Sequence, residues 1–302
     1  KYGLVSFSGP MVCMRRLDYR RFPLNPVSVS RPFHLWSIRF SHYVEKVRWT
    51  MDRLGVPYYE TPMMPILHWF RTPFVVGLKG GADSHSTKFS TPIVRTDEGQ
   101  TLIKSSAIME YLSSRFAKAG EELFPNAEVR ALDEHYNKYL GPHTRRLFYY
   151  NVLNKSDVII DLARRNVSPL QAKAFEVLFR GCRQQILSGL AVTPQAVEKG
   201  IGHIFKEFET VEKKLSDGRP YLMGDKFTAA DISFACLGGA VVLPQPAEGY
   251  GGRLPDYNCG CDQLIEVSKK LRASVAGRWV LHLYKEERGK RIIPAKPDLL
   301  VT

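Results

Sequence analysis

The chain has 302 residues, 44% of them hydrophobic and 24% charged, and a formal net charge of +13. That length buries a sizeable core and suits two domains, and no run of about 18 apolar residues offers a membrane-spanning helix. The positive charge is dispersed, with no Arg/Lys run interleaved with aromatics, so it argues for a basic organellar protein ahead of a nucleic-acid binder.

Residues 1–32 differ from the rest. They carry Arg15, Arg16, Arg20, Arg21 and Arg31, several serines and a single acid, Asp18. This is the composition of an organellar targeting region or its remnant, mitochondrial or plastid. A first residue of Lys rather than Met fits a processed or truncated end. The segment is expected to be a basic arm held by its own body or by a partner.

Phe33–Ile38 reads as a strand, Ser41–Leu54 as a helix, Gly55 as its stop and Val56–Glu60 as a second strand. Val44, Val47, Met51 and Leu54 form one apolar stripe along the helix. Ser41 or His42 falls at the helix start, where unpaired N–H groups and the dipole favour an anion. A serine hydroxyl there either caps the helix or faces a negatively charged sulfur. Thr61–Ser90 is a long connection, its first half a short buried helix and its second half, around Asp83–Lys88, an exposed loop. His68 and Trp69 within it are expected to pack. Thr91–Thr96 and Thr101–Ile103 make a hairpin around Asp97-Glu98-Gly99-Gln100. Lys104–Leu112 opens another helix, with Ser105 and Ser106 as N-cap candidates.

Strand signals end at about Asn126. Helical segments are predicted at 127–153, 156–190, 194–216, 228–242 and 261–287. Thr228 and Asp231 form a capping box, stapled by Phe227 and Ile232. The fold class is therefore an α/β layer followed by an all-helical domain. The expected divisions are an arm at 1–32, an α/β domain at 33–117, a helical domain at 126–290 and a tail at 291–302. The five cysteines are too few and scattered for a disulfide framework, and their odd number suits a reducing compartment. Cys259 and Cys261 have no second Cys or His pair at metal-ligand spacing, so no metal site is expected.

In this order and spacing, the segments over 33–287 resemble the glutathione transferase superfamily. Ser41-His42-Tyr43-Val44-Glu45-Lys46-Val47-Arg48 is similar to the Ser-Pro-Phe-x-x-Lys/Arg-Val-Arg pattern of its serine-type members. Thr91-Pro92-Ile93-Val94 resembles the segment with the family's cis-proline, and Lys104–Leu112 its Glu/Asp-Ser-x-x-Ile-x-x-Tyr-Leu motif. Tyr221–Asp231 resembles its C-terminal capping region. Leu140–Tyr150, Leu271–Lys285 and the long Thr61–Ser90 connection are similar to a poorly characterised branch.

The resemblance implies a thioredoxin-like N-terminal domain and glutathione as co-substrate with a small electrophile. It implies that Ser41 stabilises the glutathione thiolate, that backbone of Thr91 before cis-Pro92 meets the cysteinyl group, and that Ser105 takes the γ-glutamyl carboxylate. Lys104 stands where the family has an acid, and pairs with the carboxylate instead of the ammonium. His42 replaces a proline; it adds positive charge near the thiolate or is an exposed loop residue. Tyr43, Arg145 and Arg146 are expected along the co-substrate cleft, the two arginines on the first helix of the second domain. The alternative is a catalytically silent subunit of a homodimer or larger organellar assembly, joined through the N-terminal arm.

Overall fold

The structure, a computed structural model, describes residues 26–77 and 89–289. Most of the arm (1–25), the Asp83–Lys88 loop and the tail (291–302) lie outside the described residues. Strand β1 (Phe33–Ser37) pairs in parallel with β2 (Tyr58–Pro62) and antiparallel with β3 (Ile93–Arg95), which pairs antiparallel with β4 (Thr101–Ile103). The sheet order is β2-β1-β3-β4. Helix α1 (His42–Leu54) connects the parallel pair, and the predicted hairpin is β3–β4. The end of the arm lies on its own body: the Val27 N–H donates to Gly55 O at 2.9 Å and the Arg31 Nε–H to Asp97 O at 2.8 Å.

Helix α1 ends as its sequence demands. Gly55 takes φ +71° and returns its N–H to the last turn, a left-handed position that glycine occupies without penalty. Val44, Val47, Met51 and Leu54 are buried, but so are Glu45, Lys46, Arg48 and Asp52. The helix is enclosed on every side, not along one stripe.

In the long connection, a short 3₁₀ turn (Leu67–Phe70) precedes α2 (Thr72–Val76). His68 is buried, while Trp69, Phe70 and Phe74 are 41%, 71% and 87% exposed. The expectation of a buried helix here is corrected; the five-residue helix is too short to bury a face of its own. Helix α3 (Ser105–Phe116) follows β4.

Beyond it the chain is all helical. The predicted 127–153 helix is two, α4 (Ala127–Tyr139) and α5 (Gly141–Leu153), broken at Gly141-Pro142 because proline cannot donate into the preceding turn. The 156–190 segment is three, α6 (Ser156–Asn166), α7 (Pro169–Val177) and α8 (Phe179–Gly189), the first break again before a proline. Then come α9 (Pro194–Leu215), α10 (Ala229–Val242), α11 (Asp262–Ala273) and α12 (Val275–Glu286). Every residue of α10 is buried, as expected of a helix that is apolar all round. It packs against α1, α4, α5, α11 and α12. At its start the Asp231 carboxylate accepts the Thr228 N–H at 2.7 Å, the Thr228 hydroxyl at 3.0 Å and the Leu222 N–H at 2.8 Å. No helix among the described residues is long and apolar enough to cross a membrane.

Candidate functional site

Strand register brings the predicted residues to one end of the sheet. Trp36 faces Ile93, and Ile93 faces Ile103. Pro92 therefore comes one step beyond β3 between Ser37, where β1 ends, and Lys104, one step past the end of β4. The loop from Ser37 leads into α1 at Ser41–His42, and Lys104 leads into α3 at Ser105. Two helix starts and the Thr91–Pro92 peptide, which is cis, share this edge. In open α/β sheets, ligands gather beyond strand ends where the topology switches direction.

Ser41 is half-buried and extended (φ −71°, ψ 126°), and its side chain accepts no hydrogen bond from the first turn of α1. Its N–H donates to Ile38 O at 2.8 Å. The first turn of α1 thus gains nothing from its cap residue's side chain. Lys104 at the start of α3 is exposed and left-handed at φ +67°, with no side-chain cap either. Ser105 is buried at 7% exposure.

His42 departs from both readings of it. It is buried, its Nε2 lies 3.1 Å from Gly141 O, and burial, with the Arg145 guanidinium nearby, lowers its pKa to about 3. It is a neutral interdomain contact, neither an exposed loop residue nor a cation. Tyr43 donates from its hydroxyl to Asn137 O at 3.1 Å, and burial raises its pKa. Arg145 stands over the Tyr43 ring, 5.7 Å from its centroid, with an Nε–H that has no acceptor among the described residues. Arg146 donates its Nε–H to Leu190 O at 3.0 Å, beyond the end of α8. Successive helix residues point about 100° apart, so the two differ: Arg145 stands over the Tyr43 ring, while Arg146 reaches Leu190 and adds only its charge near Tyr43. Both arginines lie on α5, the second helix of the domain and not the first.

Two buried polar networks hold this edge in place, and neither was assigned a role from the sequence. In the first, Lys46 on α1 donates to Asp133 Oδ1 at 2.6 Å and Asn137 Oδ1 at 2.9 Å, both on α4. The Asn137 amide donates to Ser106 Oγ on α3 at 2.9 Å. Ser233 on α10 donates to the Asp133 carboxylate as well. Burial works against the charged Asp133, yet Lys46 and these hydrogen bonds hold its pKa below the usual range. Asn137 so ties the starts of α1 and α3 to one point on α4. In the second, Arg48 donates to Glu45 Oε2 at 2.6 Å, to Glu60 Oε1 at 2.9 Å and to Arg39 O at 2.6 Å. Arg288 joins Glu45 at 3.1 Å and Asp52 at 2.5 Å. The legible signal was charge balance: Glu45, Lys46, Arg48 and Asp52 crowd one short helix otherwise apolar enough to be central.

No curated protein matches the chain in sequence. The family profile described as glutathione S-transferase, C-terminal domain, matches residues 194–264. A glutathione transferase from Phanerochaete chrysosporium superposes with a TM-score of 0.53 at 17% identity, covering 88% of this chain and all of that one (100%). A glutathione S-transferase of Ceriporiopsis subvermispora, solved in complex with glutathione, superposes at 0.56 and 16% identity, covering 87% of this chain and 99% of that one. At these identities the likeness is one of fold. The chain has the glutathione transferase architecture, a thioredoxin-like layer followed by an all-helical domain.

Proposed function

We propose that the edge formed by Ser41, Thr91-Pro92 and Ser105 binds glutathione and conjugates it to a small electrophile. One observation carries the reading: two helix starts without side-chain caps and a cis X-Pro peptide meet at one strand end, where a thiolate and a carboxylate each need N–H donors. The related fold solved with glutathione supports the choice of ligand.

A free thiol has a pKa of about 8.5, and lowering it by about two units takes roughly 2.7 kcal/mol of preference for the anion. The open first turn of α1 and the Ser41 hydroxyl supply that preference. Glutathione gives its thiol proton to solvent; the thiolate then attacks the electrophilic carbon, and the leaving group departs with its electron pair. Ser41 acts by donating a hydrogen bond, not by attack. Thr91 offers its backbone to the cysteinyl group as an added strand does, and Ser105 with its N–H takes the γ-glutamyl carboxylate. Positive charge beside the thiolate comes from Arg145 in this scheme, since His42 is neutral.

Titration calorimetry with millimolar glutathione, followed by turnover of a chloro-dinitroaromatic, tests this. Ser41→Ala is expected to keep glutathione affinity within about twofold and to lower turnover about 10- to 100-fold, the range for losing one hydrogen bond to a charged group. The glutathione thiolate absorbance should titrate about one unit higher in that variant. Absence of binding heat in the unmodified chain would sink the reading. It would favour the second one, a silent assembly subunit, for which exposed Phe70 and Phe74 speak.

A further inference from the structure

A cavity of about 310 Å³ lies against the β1–α1 loop. Its walls include Arg39 from that loop, Arg165 and Asn166 from the end of α6, and Tyr250, Gly252 and Arg253 from the segment after α10. It is on the far side of β1 from Pro92. Arg39 Nε lies 3.6 Å from the Glu60 carboxylate, on β2, whereas Pro92 leads into β3, and β2 and β3 flank β1 on opposite sides.

The walls are fixed. The Asn166 amide donates to Arg253 O at 3.0 Å and accepts the Arg253 N–H at 3.0 Å. The Tyr250 hydroxyl donates to Phe40 O at 3.1 Å. Gly252 is pressed so closely on Arg39 O that a Cβ there would collide with it. The lining is one-sided in charge. Three guanidiniums line the cavity and no acidic side chain does. Arg165 is held by Asp161 at 2.6 Å and Asp256 at 3.1 Å, carboxylates 55% and 57% exposed and outside the lining. The Nε–H groups of Arg165 and Arg39 are themselves buried and hydrogen-bond to nothing among the described residues, Arg39 Nε resting 3.6 Å from the Glu60 carboxylate. Arg253 is exposed and makes no ion pair among them.

We propose that this cavity binds a small polyanion bearing phosphate or carboxylate groups, gripped by Arg39, Arg165 and Arg253. Guanidinium forks match both groups in bidentate fashion. The site is separate from the glutathione edge but shares the 38–41 loop with it.

The test is titration calorimetry of the full chain at low salt with pyrophosphate and with citrate. One-to-one binding of at least one probe is expected, and the tighter probe names the phosphate or carboxylate class. Arg253→Gln and Arg39→Gln should each weaken it about tenfold, the usual loss for one charge-assisted contact. Arg130→Gln, an exposed control on α4 paired with Glu110, should change it less than twofold, and circular dichroism checks that the variants fold. No heat with either probe at about 10 mM, a concentration at which even a weak specific site is filled, would overturn the proposal. So would equal losses in Arg253→Gln and Arg130→Gln, which would mark general attraction to a chain of charge +13. Ser105→Ala should weaken glutathione and leave these probes untouched, so the two sites stand or fall separately.

Discussion

Helices α1 and α10 are both central and pack against each other, yet they satisfy their polar groups in opposite ways. α10 has an apolar body and a closed start: Asp231 takes two backbone N–H groups and a hydroxyl. α1 has a charged body and an open start: its ion pairs are internal, and Ser41 caps nothing. A helix start that the chain itself satisfies is spent on stability. One left open within a rigid frame keeps its donors for something else.

The contrast breaks first in the body of α1. Arg48→Met strips a fully buried guanidinium from Glu45 and Glu60. Breaking such a pair from one side costs about 3–5 kcal/mol, read as a lower urea midpoint with unchanged slope. Adding Glu60→Gln to that variant should restore part of the loss, because one stranded charge is gone. The start of α10 comes next. Asp231→Ala leaves the Thr228 and Leu222 N–H groups buried without their acceptor, about 1–3 kcal/mol for each such group. Removing the desolvated carboxylate offsets part of this, so a net loss of about 2 kcal/mol is expected by the same measurement. Glutathione affinity should be unchanged.

These two helices also differ in how much of them the sequence made legible. The capping box was readable because its partners are three residues apart, Thr228 and Asp231. So were the α1 stripe and the Gly55 stop, since both are local patterns. The enclosure of α1 was not, because Lys46 meets Asp133 and Asn137 some ninety positions later, and Glu45 meets Arg288 near the end of the described chain. The site shows the same division. The Thr91-Pro92 and Ser105 positions follow from motif and register. The neutrality of His42 depends on burial and then on Arg145, which only the packed domain interface supplies. The bond from Arg146 to Leu190 depends on where α8 ends.

The pH dependence of stability sharpens the comparison, because the two starts titrate in opposite senses. Burial raises the Asp231 pKa from 3.8 to about 6. The folded chain then holds a proton that the unfolded chain has lost, so this contribution falls as pH rises from about 4 to 6. Burial lowers the His42 pKa from 6.5 to about 3. There the unfolded chain binds the extra proton, so this contribution rises with pH from about 3 to 6.5. His68, lowered by burial to about 4, acts in the same sense as His42. Each group gives at most about 1.4 kcal/mol per pH unit, and in the native chain Asp231 partly cancels the histidines. Asp231→Asn should make stability climb more steeply between pH 4 and 6, by up to about 1.4 kcal/mol per unit over the native slope. His42→Gln should flatten or reverse the native profile over that range. Parallel profiles in all three proteins would refute the assignment.

The smallest change is the most direct probe of the open start. Ser41→Asp puts a carboxylate at the N-cap of α1, where the extended backbone already suits it. It can accept the Tyr43 or Val44 N–H and complement the helix dipole, a gain of about 0.5–1 kcal/mol. The same carboxylate occupies the donors proposed for the thiolate and repels the thiolate itself. The variant should therefore melt slightly higher, by about 1–3 °C for a chain of this size, and lose glutathione conjugation more than tenfold. Closing α1 in this way makes its start resemble that of α10: more stable and without a vacant donor. A variant that gains stability and keeps full turnover would show that the start of α1, though open, takes no part in the chemistry.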